Sequence, residues 1–322
     1  MTVTKNTISS IKKAFSSINY YRSKYGIITS FQALNHFRFR IMNKSNKINH
    51  ETKILVNGYE MFLKPNDPGI STELSLFKSH EPLNSKIISK LLKPGMTCLD
   101  IGGNIGYYVL LERKCIGKEG KIIAIEPLLQ NYEYLNKNIK HQNFDNIQTF
   151  NFACGEKNTI SDFFINKKSN GCQVIRDGVA PPDPSKGTIG KIQVKRLDPI
   201  IDELKLNRVD FVRMDAEGYE LHILRGLKTT LEKFKPIISL ELHKRQLGKD
   251  GIREFFTLMR TLGYEIESYV PRELDIPLIG TIKDVTKPTI EQLLKMIENN
   301  EVGSYLMLNL VYCSKKSFEG KN

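Results

Sequence analysis

Acidic residues are absent from the start of this chain. The first 50 residues hold nine lysines and arginines and no carboxylate, and Glu51 is the first acidic residue. The whole chain of 322 residues has a net charge of +13, but residues 51–312 carry only +2 of it. A uniformly basic chain would indicate a nucleic-acid binder. The actual distribution instead indicates a basic arm on a nearly neutral globular body.

Long apolar runs and paired cysteines are also missing. No run approaches the roughly 18–20 apolar residues that span a bilayer, and the N-terminus lacks the compact apolar core of a secretory signal. The five cysteines include no CxxC pair, so neither a zinc ribbon nor a disulfide framework is indicated. These absences predict a soluble, cytoplasmic protein. Since 40% of the residues are hydrophobic, the body can form an extensive core.

The pattern of apolar residues divides the chain into four parts. We expect a basic helical arm over residues 1–50, a hairpin with capping helices over 51–95, a main globular domain over 96–314 and a basic tail over 315–322. Inside the domain, short apolar strands alternate with helices, which implies right-handed crossovers and a mainly parallel sheet. Inserts over 156–198 and 271–304 interrupt this alternation. The seven expected strands are Thr97–Ile101, Lys121–Glu126, Ile147–Cys154, Val209–Met214, Ile237–Leu242, Tyr264–Val270 and Tyr305–Cys313.

A glycine-rich loop is the most informative motif. The run Leu99-Asp100-Ile101-Gly102-Gly103-Asn104-Ile105-Gly106 combines a strand end, a loop and a helix start. Asn104 stands where a dinucleotide-binding fingerprint needs glycine, and no Gly-Lys-Ser/Thr of a P-loop follows. Asp100 would repel a pyrophosphate, and Glu126 ends the next strand, where a carboxylate accepts hydrogen bonds from ribose hydroxyls. Together these residues predict a nucleoside ligand without phosphates.

Further motifs make the chain resemble a known family. Ile125-Glu126-Pro127 and Ala153-Cys154-Gly155 follow the loop, and the strongest match is Val209-Asp210-Phe211-Val212-Arg213-Met214-Asp215-Ala216-Glu217-Gly218-Tyr219-Glu220. Over roughly residues 50–245 the chain resembles class I S-adenosylmethionine (SAM)-dependent methyltransferases, and more narrowly the FkbM-type family. The resemblance implies a Rossmann-like α/β fold, with a mainly parallel seven-stranded sheet, helices on both faces and SAM as the cofactor.

The resemblance also assigns cofactor contacts to individual positions. By this resemblance, Asp100, Gly102, Asn104 and Gly106 line the methionine part of the cofactor. Glu126 takes the ribose hydroxyls, and residues 151–153 lie near the adenine. Glycines allow close approach of the backbone, and carboxylates favour the sulfonium and amino cations. The expected cofactor-binding residues are Glu73, Asp100, Gly102, Asn104, Gly106, Glu126, Asn151, Ala153 and Asp215.

Four residues are candidates for the catalytic chemistry, namely Asp215, Glu217, Glu241 and His243. Methyl transfer to a hydroxyl depends on positioning and on a base that removes the proton. We favour His243 or Glu241 as the base and Asp215 as the group that orients cofactor or acceptor. Alternatively, Glu217 caps the following helix and His243 is a solvated strand-end residue. Asp215, Glu217 and Glu241 have the ligand type for a divalent metal, but we expect no metal site.

The expected reaction is O-methylation of a hydroxyl on a sugar, glycan or lipid-linked saccharide, as the resemblance implies. One alternative is an RNA methyltransferase that uses the basic arm, and another is a catalytically silent SAM-binding module. The run Asp215-Ala216-Glu217-Gly218 argues against the first, because base-methylating enzymes usually have Asn/Asp-Pro-Pro-aromatic at that strand end. The intact glycine loop and Glu126 argue against the second. A nucleic-acid partner is therefore not expected.

The arm has two interpretations. Ile8, Ile11, Phe15 and Ile18 recur at helical spacing beside lysines, so the arm can lie on an anionic membrane surface. That would place the protein at the inner membrane surface, near a lipid-linked acceptor. In the other interpretation, the arm docks on the catalytic domain and its basic face is merely solvated.

Overall fold

The computed structural model describes residues 5–42, 48–167, 171–176 and 182–313, with side chains from residue 16 onward. The expected tail over 315–322 lies outside this part of the chain, as do the side chains of Ile8, Ile11 and Phe15. Thirteen strands are found in the described part: β1 Thr52–Val56, β2 Tyr59–Leu63, β3 Thr97–Ile101, β4 Lys121–Ile125, β5 Ile147–Phe150, β6 Ala153–Cys154, β7 Thr159–Asn166, β8 Gln173–Val174, β9 Gly187–Lys195, β10 Phe211–Met214, β11 Ile237–His243, β12 Tyr264–Pro271 and β13 Tyr305–Tyr312.

Helices flank these strands along the chain. Short 3-10 turns also occur at Pro184–Lys186 and Ile282–Asp284. The α-helices of the described residues are α1 Lys5–Met42, α2 Ile70–Phe77, α3 Pro82–Leu91, α4 Tyr107–Ile116, α5 Leu129–His141, α6 Leu197–Glu203, α7 Glu220–Gly226, α8 Lys228–Phe234, α9 Lys244–Thr261 and α10 Ile290–Glu298.

A seven-stranded sheet forms the centre of the molecule, in the order β12-β13-β11-β10-β3-β4-β5. Six strands are parallel, and β13 runs antiparallel between β11 and β12. All five residues of β3 and all four of β10 are buried, as expected for apolar strands covered on both faces. The predicted Rossmann-like α/β fold is confirmed. In such sheets, ligands bind beyond the carboxyl ends of the strands, where the strand order reverses.

The third expected strand, Ile147–Cys154, is wrong as a single element. Strand β5 ends at Phe150 in the central sheet, whereas β6 pairs with β9 in a separate four-stranded sheet of order β6-β9-β7-β8. Asn151 and Phe152 bridge the two sheets. The insert after β6 therefore contributes a second sheet rather than only a hairpin, and this sheet forms a wall beside the carboxyl ends of the central strands.

The N-terminal segments cover one side of the central sheet. Strands β1 and β2 form the hairpin that Asn57-Gly58 predicts, with Val56 opposite Tyr59. The arm, α1, consists of two helical stretches that meet at Gly26, whose backbone is non-helical with a φ of 87°. Tyr21, Ala33 and His36 of α1 are buried. Since Tyr21 and His36 bond to the backbone carbonyls of Glu273 and Pro277, the interpretation that the arm docks on the catalytic domain is confirmed for these residues. Among the described residues, no helix is both long and apolar enough to cross a bilayer.

Candidate functional site

The glycine loop lies between the carboxyl ends of β3 and β10. It is anchored to β4, because the N–H groups of Gly102 and Gly103 both donate to the carbonyl of Ile125, at 2.8 and 3.0 Å. Gly102 has a φ of +89°, and a Cβ at this position would overlap the carbonyl oxygen of Asp215. The loop therefore requires glycine at position 102, both for its backbone conformation and for its close approach to β10.

Glu126 follows β4, and its carboxyl group is held by the loop that it faces. It accepts hydrogen bonds from the N–H of Asn104 at 2.8 Å and from the N–H of Leu128 at 2.9 Å. Burial raises the pKa of Glu126 to about 7, although both hydrogen bonds act to lower it. Since a carboxylate oxygen accepts more than one hydrogen bond, Glu126 retains capacity for a diol ligand.

A cavity that is partly open to solvent lies beside Glu126, with about 630 Å³ of space. Five of the predicted cofactor-binding residues line it, namely Gly102, Asn104, Glu126, Ala153 and Asp215. Its apolar walls come from both sheets and from α7, and they include Ile101, Ile125, Phe152, Cys154, Phe163, Val174 and Ile223. A few polar groups in a mainly apolar concave wall suit a nucleoside-sized ligand. We call this space the larger cavity.

Arg213 connects the glycine loop to Asp215. Its Nη1 lies 2.9 Å from Asp100 Oδ1 and 3.2 Å from the Gly102 carbonyl, and its Nη2 lies 3.4 Å from Asp215 Oδ2. Its guanidinium also stacks over the ring of Tyr108, 4.0 Å from the centroid. Asp100 is fully buried beside Arg213. It lines neither the larger cavity nor the smaller one that adjoins it. The expectation that it lines the methionine part of the cofactor is therefore wrong, because Asp100 lies inside β3 rather than beyond its end.

Asp215 stands where the larger cavity meets a second one. This smaller cavity measures about 470 Å³ and shares Gly102, Asn104, Asp215 and Glu217 with the larger cavity. Asp215 Oδ1 is buried and has no hydrogen-bond partner among the described residues. Burial and the neighbouring Glu241 raise the pKa of Asp215 to about 8, against the opposing effect of Arg213. A buried, unpaired carboxyl oxygen is a position for a ligand cation or hydroxyl.

Charged side chains line the smaller cavity, and Arg272 forms ion pairs with two of them. The guanidinium of Arg272 lies 3.2 Å from Glu81 Oε1 and 3.0 Å from Glu241 Oε1. Glu81 also accepts a 2.6 Å hydrogen bond from the Tyr108 hydroxyl, and its Oε1 lies 3.3 Å from His80 Nε2. Burial raises the pKa of Glu241, whereas Arg272 acts to lower it. The smaller cavity is thus a polar space with acceptors and donors in fixed positions.

His243 is closed off between two carboxylates. Its Nδ1 lies 2.7 Å from Glu220 Oε1 and its Nε2 lies 3.1 Å from Glu217 Oε2, with only 1% of the residue exposed. Burial acts to lower the pKa of His243, but Glu220 and Glu217 together raise it well above its ordinary value. Both ring nitrogens are therefore engaged by carboxylates, which favour the protonated form of the ring. The interpretation of His243 as a solvated residue is wrong, and the engagement of both its nitrogens argues against a role as the base.

Several predicted residues support the site without lining either cavity. Glu73 lies on α2, 3.3 Å from His80 Nδ1. Gly106 precedes α4 in a left-handed conformation, packed against Leu135. Asn151 donates to the carbonyls of Glu126 and Pro127, at 2.8 and 3.0 Å, and thereby braces the turn after β4. The alternative of Glu217 as a helix cap is wrong, since Tyr219 precedes α7 and Glu217 contacts His243.

Asp215, Glu241 and His243 are close enough to share a metal ion, with one donor atom from each lying within 4.8 Å of the others. However, the chain already neutralises these groups with its own charges. Arg213 pairs with Asp215, Arg272 pairs with Glu241, and both nitrogens of His243 face carboxylates. We therefore assign no metal role to this cluster.

Comparison with known proteins identifies the class that this fold and site define. The sequence profile of the FkbM methyltransferase domain matches residues 100–266, which is more than half of the chain. This stretch runs from the glycine loop to β12 and contains the larger cavity. The protein is a class I, Rossmann-like methyltransferase in fold, and the chain belongs to the FkbM methyltransferase family. SAM as the predicted cofactor is confirmed by this membership.

Individual relatives are distant. The chain is 24% identical over 209 residues to the AMB antimetabolite synthetase AmbE of Pseudomonas aeruginosa, covering 55% of this chain and 10% of that protein. It is 26% identical over 144 residues to Methyltransferase 1 of Beauveria bassiana, covering 40% of this chain and 57% of that one. The chain thus spans less than two thirds of each. A crystal structure of FkbM methyltransferase from Methylobacillus flagellatus is 19% identical, with a TM-score of 0.40, covering 59% of this chain and 44% of that chain.

The residues of the larger cavity fit SAM. Glu126 presents a carboxylate to ribose hydroxyls, and Phe152 and Ile125 offer apolar surface for an adenine ring. The carboxyl group of Asp215, at one end of the cavity, suits the positive charge of a sulfonium or amino group.

Glu81, Arg213 and Arg272 were missed as site residues from sequence. Arg213 stood within the recognised strand motif, but its partner Asp100 follows only from strand register, which places the two residues side by side. Arg272 opens the insert over 271–304, a segment type that commonly carries substrate contacts. Nothing in the sequence pairs it with Glu81, 191 positions earlier, because that contact depends on how the capping helices fold over the sheet.

Proposed function

We propose that this protein transfers the methyl group of SAM to a hydroxyl of a sugar, glycan or lipid-linked saccharide. The observation that carries the proposal is the position of Asp215, whose buried and unpaired Oδ1 lies at the junction of the two cavities. When bound, SAM supplies an activated methyl group on a sulfonium. The residues around it bind, orient and deprotonate the acceptor.

Asp215 is the best candidate for the base. Both nitrogens of His243 are engaged by Glu217 and Glu220, so the neighbouring carboxyl groups are the better proton acceptors. Glu241 Oε1 is engaged by Arg272, whereas Asp215 Oδ1 has no partner among the described residues. A pKa of about 8 also makes Asp215 a stronger base than an ordinary aspartate, near the pH at which it would act. In this proposal, Asp215 Oδ1 accepts the proton of the acceptor hydroxyl.

The lining of the smaller cavity supports a neutral, hydroxyl-rich acceptor. Sugar hydroxyls both donate to carboxylates and accept from guanidinium groups, and Glu81, Glu241 and Arg272 offer these partners side by side. Four carboxyl groups face three basic groups in this cavity, namely Glu81, Asp215, Glu217 and Glu241 against His80, Arg213 and Arg272. Such a balance disfavours a phosphodiester chain, so it supports a saccharide over RNA.

The proposal is tested with methyl-labelled SAM and cell-extract fractions of glycans, lipids and RNA. We expect label in the saccharide-bearing fractions as a base-stable methyl ether, and loss of transfer in Asp215→Asn. Asp202→Asn is the matched control, because Asp202 is exposed on α6, outside both cavities. Label confined to RNA, or released by mild base as a methyl ester, would contradict the proposal.

A further inference from the structure

The inner face of α1 is fixed on the rest of the protein. The hydroxyl of Tyr21 donates to the Glu273 carbonyl at 2.7 Å, and the hydroxyl of Tyr25 donates to Glu273 Oε1 at 2.6 Å. Further along the helix, His36 Nδ1 lies 2.8 Å from the Pro277 carbonyl and its ring stacks on Phe77. Because Gly26 interrupts the helix, the His36 contacts are the ones that determine which side of residues 27–42 faces away from the catalytic body.

The outward side of α1 is apolar and exposed. Ile28, Phe31 and Met42 are 74%, 60% and 76% exposed, and the spacing of positions 28, 31 and 42 places them on one face of the helix. The buried residues Ala33 and His36 lie on the opposite face. Of the large hydrophobic side chains exposed in the described part of the chain, half lie between residues 20 and 42. The exposed apolar side chains are therefore concentrated on the side of α1 that does not pack against the rest of the protein.

A cation accompanies this outer face. Arg38 is exposed on the same side of the helix as Ile28, Phe31 and Met42, whereas the exposed Arg40 lies on the side of His36. No carboxylate occurs anywhere in residues 1–50, so nothing on the arm itself opposes a negatively charged partner. Apolar side chains flanked by cations along a single helix are typical of helices that lie in the interface of an anionic bilayer.

We propose that the outer face of α1, defined by Ile28, Phe31, Arg38 and Met42, binds the surface of a membrane that contains anionic lipids. The apolar side chains enter the interface while Arg38 meets the headgroups. The face is the convex side of one helix, about 21 Å long between residues 28 and 42, and so it matches an extended surface better than a pocketed partner. This binding is independent of the proposed methyl transfer.

The test uses the full chain and sedimentation with two kinds of vesicles, phosphatidylcholine alone and phosphatidylcholine with phosphatidylglycerol. We expect binding to the anionic vesicles only, weakened by added salt. The triple variant Ile28→Gln/Phe31→Gln/Met42→Gln should bind at least tenfold more weakly. The matched control is Leu55→Thr/Ile160→Thr/Ile189→Thr, which removes three hydrophobic side chains that are 66%, 68% and 54% exposed on strands. It should bind like the wild type.

Unchanged thermal unfolding and SAM binding in both variants would show that the fold is intact. Equal vesicle binding by the wild type and the helix variant would overturn the proposal, as would binding to neither kind of vesicle. Sedimentation velocity tests the alternative that the outer face binds a second copy of the chain. A dimer that the helix variant dissociates, without vesicle binding by the wild type, would show that the outer face joins two copies of the chain.

Discussion

The charge state of each buried carboxyl group in this protein depends on the cations beside it. Burial raises the pKa of Glu81, but His80 and Arg272 reverse the effect and hold that pKa below its usual range. Asp215 has one arginine partner and acidic neighbours, and its pKa is raised. Glu112 is fully buried, with no hydrogen-bond partner for either oxygen among the described residues. These differences are open to measurement by titration and substitution.

The pH dependence of methyl transfer tests the role of Asp215. Since a base must be deprotonated to accept a proton, kcat/KM should rise as the pH increases towards about 8 and level off above it. Asp215→Asn should lower kcat by about 100-fold or more. The measurement is a series of initial rates between pH 6 and 9.5. A flat profile, or an unchanged rate in the variant, would remove Asp215 from the chemistry.

Glu112 is expected to destabilise the protein at neutral pH. Burial and the nearby Asp100 raise its pKa well above the ordinary value, so the folded state favours the protonated form. As the pH rises above the unfolded-state pKa, each unit costs the wild type about 1.4 kcal/mol, until the raised pKa is reached. Urea unfolding should therefore show Glu112→Gln to be more stable than the wild type at pH 7, by an amount that shrinks towards pH 4.5.

Glu119→Gln is the matched control for this experiment. Glu119 lies in the turn after α4, and its side chain is 79% exposed. Its substitution should leave the free energy of unfolding nearly unchanged at both pH values. If Glu112→Gln behaves like this control, the Glu112 carboxyl group has a solvated or hydrogen-bonded environment instead.

At the residue scale, the sequence predicted which carboxyl groups lie at strand ends, but it predicted the roles of these groups less well. Glu126 and Asp215 lie on the larger cavity as expected, because each follows the last residue of a buried strand. Asp100 and His243 instead lie within strands, where side-chain direction and buried partners decide what they contact. Strand register and burial depend on contacts between residues that are far apart in the chain, so they could not be read from this single sequence.

At the scale of elements, the glycine loop determines how closely β3 and β10 approach each other. A side chain at position 102 would be unfavourable for two reasons. The backbone has a positive φ, and a Cβ would overlap the Asp215 carbonyl. Gly95 also has a positive φ, of +80°, but faces open space. The two positions therefore separate backbone strain from the packing that the loop requires.

We predict that Gly102→Ala abolishes SAM binding and lowers stability far more than Gly95→Ala. Gly95→Ala should cost only about 1–2 kcal/mol, the ordinary penalty of a left-handed conformation. Calorimetric titration with SAM and thermal unfolding of both variants provide the measurements. Similar SAM affinities in the two variants would mean that the Gly102 loop does not form part of the binding site.

The strands of the central sheet were predictable because their apolar runs are continuous and separated by helical patterns. The break between β5 and β6 was not, since Asn151 and Phe152 interrupt pairing without a proline or glycine to mark it. The remaining strands of the small sheet also depend on pairing across an insert. Local pattern thus predicts a strand, but its sheet is decided by which neighbour supplies the missing hydrogen bonds.

At the scale of the whole molecule, Glu273 connects the arm to the site. Its carboxylate lies 2.8 Å from Lys24 Nζ and 2.6 Å from the Tyr25 hydroxyl, and it adjoins Arg272, which crosses the smaller cavity. The docked arm therefore packs against the same insert that supplies one wall of that cavity. The arm was predicted as a helix from sequence, but its docking partner was not, because nearly 250 residues separate the two.

Glu273→Ala should loosen the arm. Charge-assisted hydrogen bonds contribute about 1.5–3 kcal/mol each, so amide exchange in α1 should accelerate by roughly tenfold or more. The central sheet should be unaffected. Glu298→Ala is the matched control, since Glu298 forms an exposed ion pair with Arg253. Exchange in α1 that is equal in both variants would show that Glu273 does not hold the arm.

A crystal structure with S-adenosylhomocysteine tests the central claim most directly, namely that the larger cavity binds the cofactor and the smaller one receives the acceptor. The account predicts ribose hydroxyls on Glu126, adenine against Phe152, and the sulfur beside Asp215 facing the cavity that Glu81, Glu241 and Arg272 line. A ligand bound elsewhere, or one whose sulfur faces away from that cavity, would contradict it.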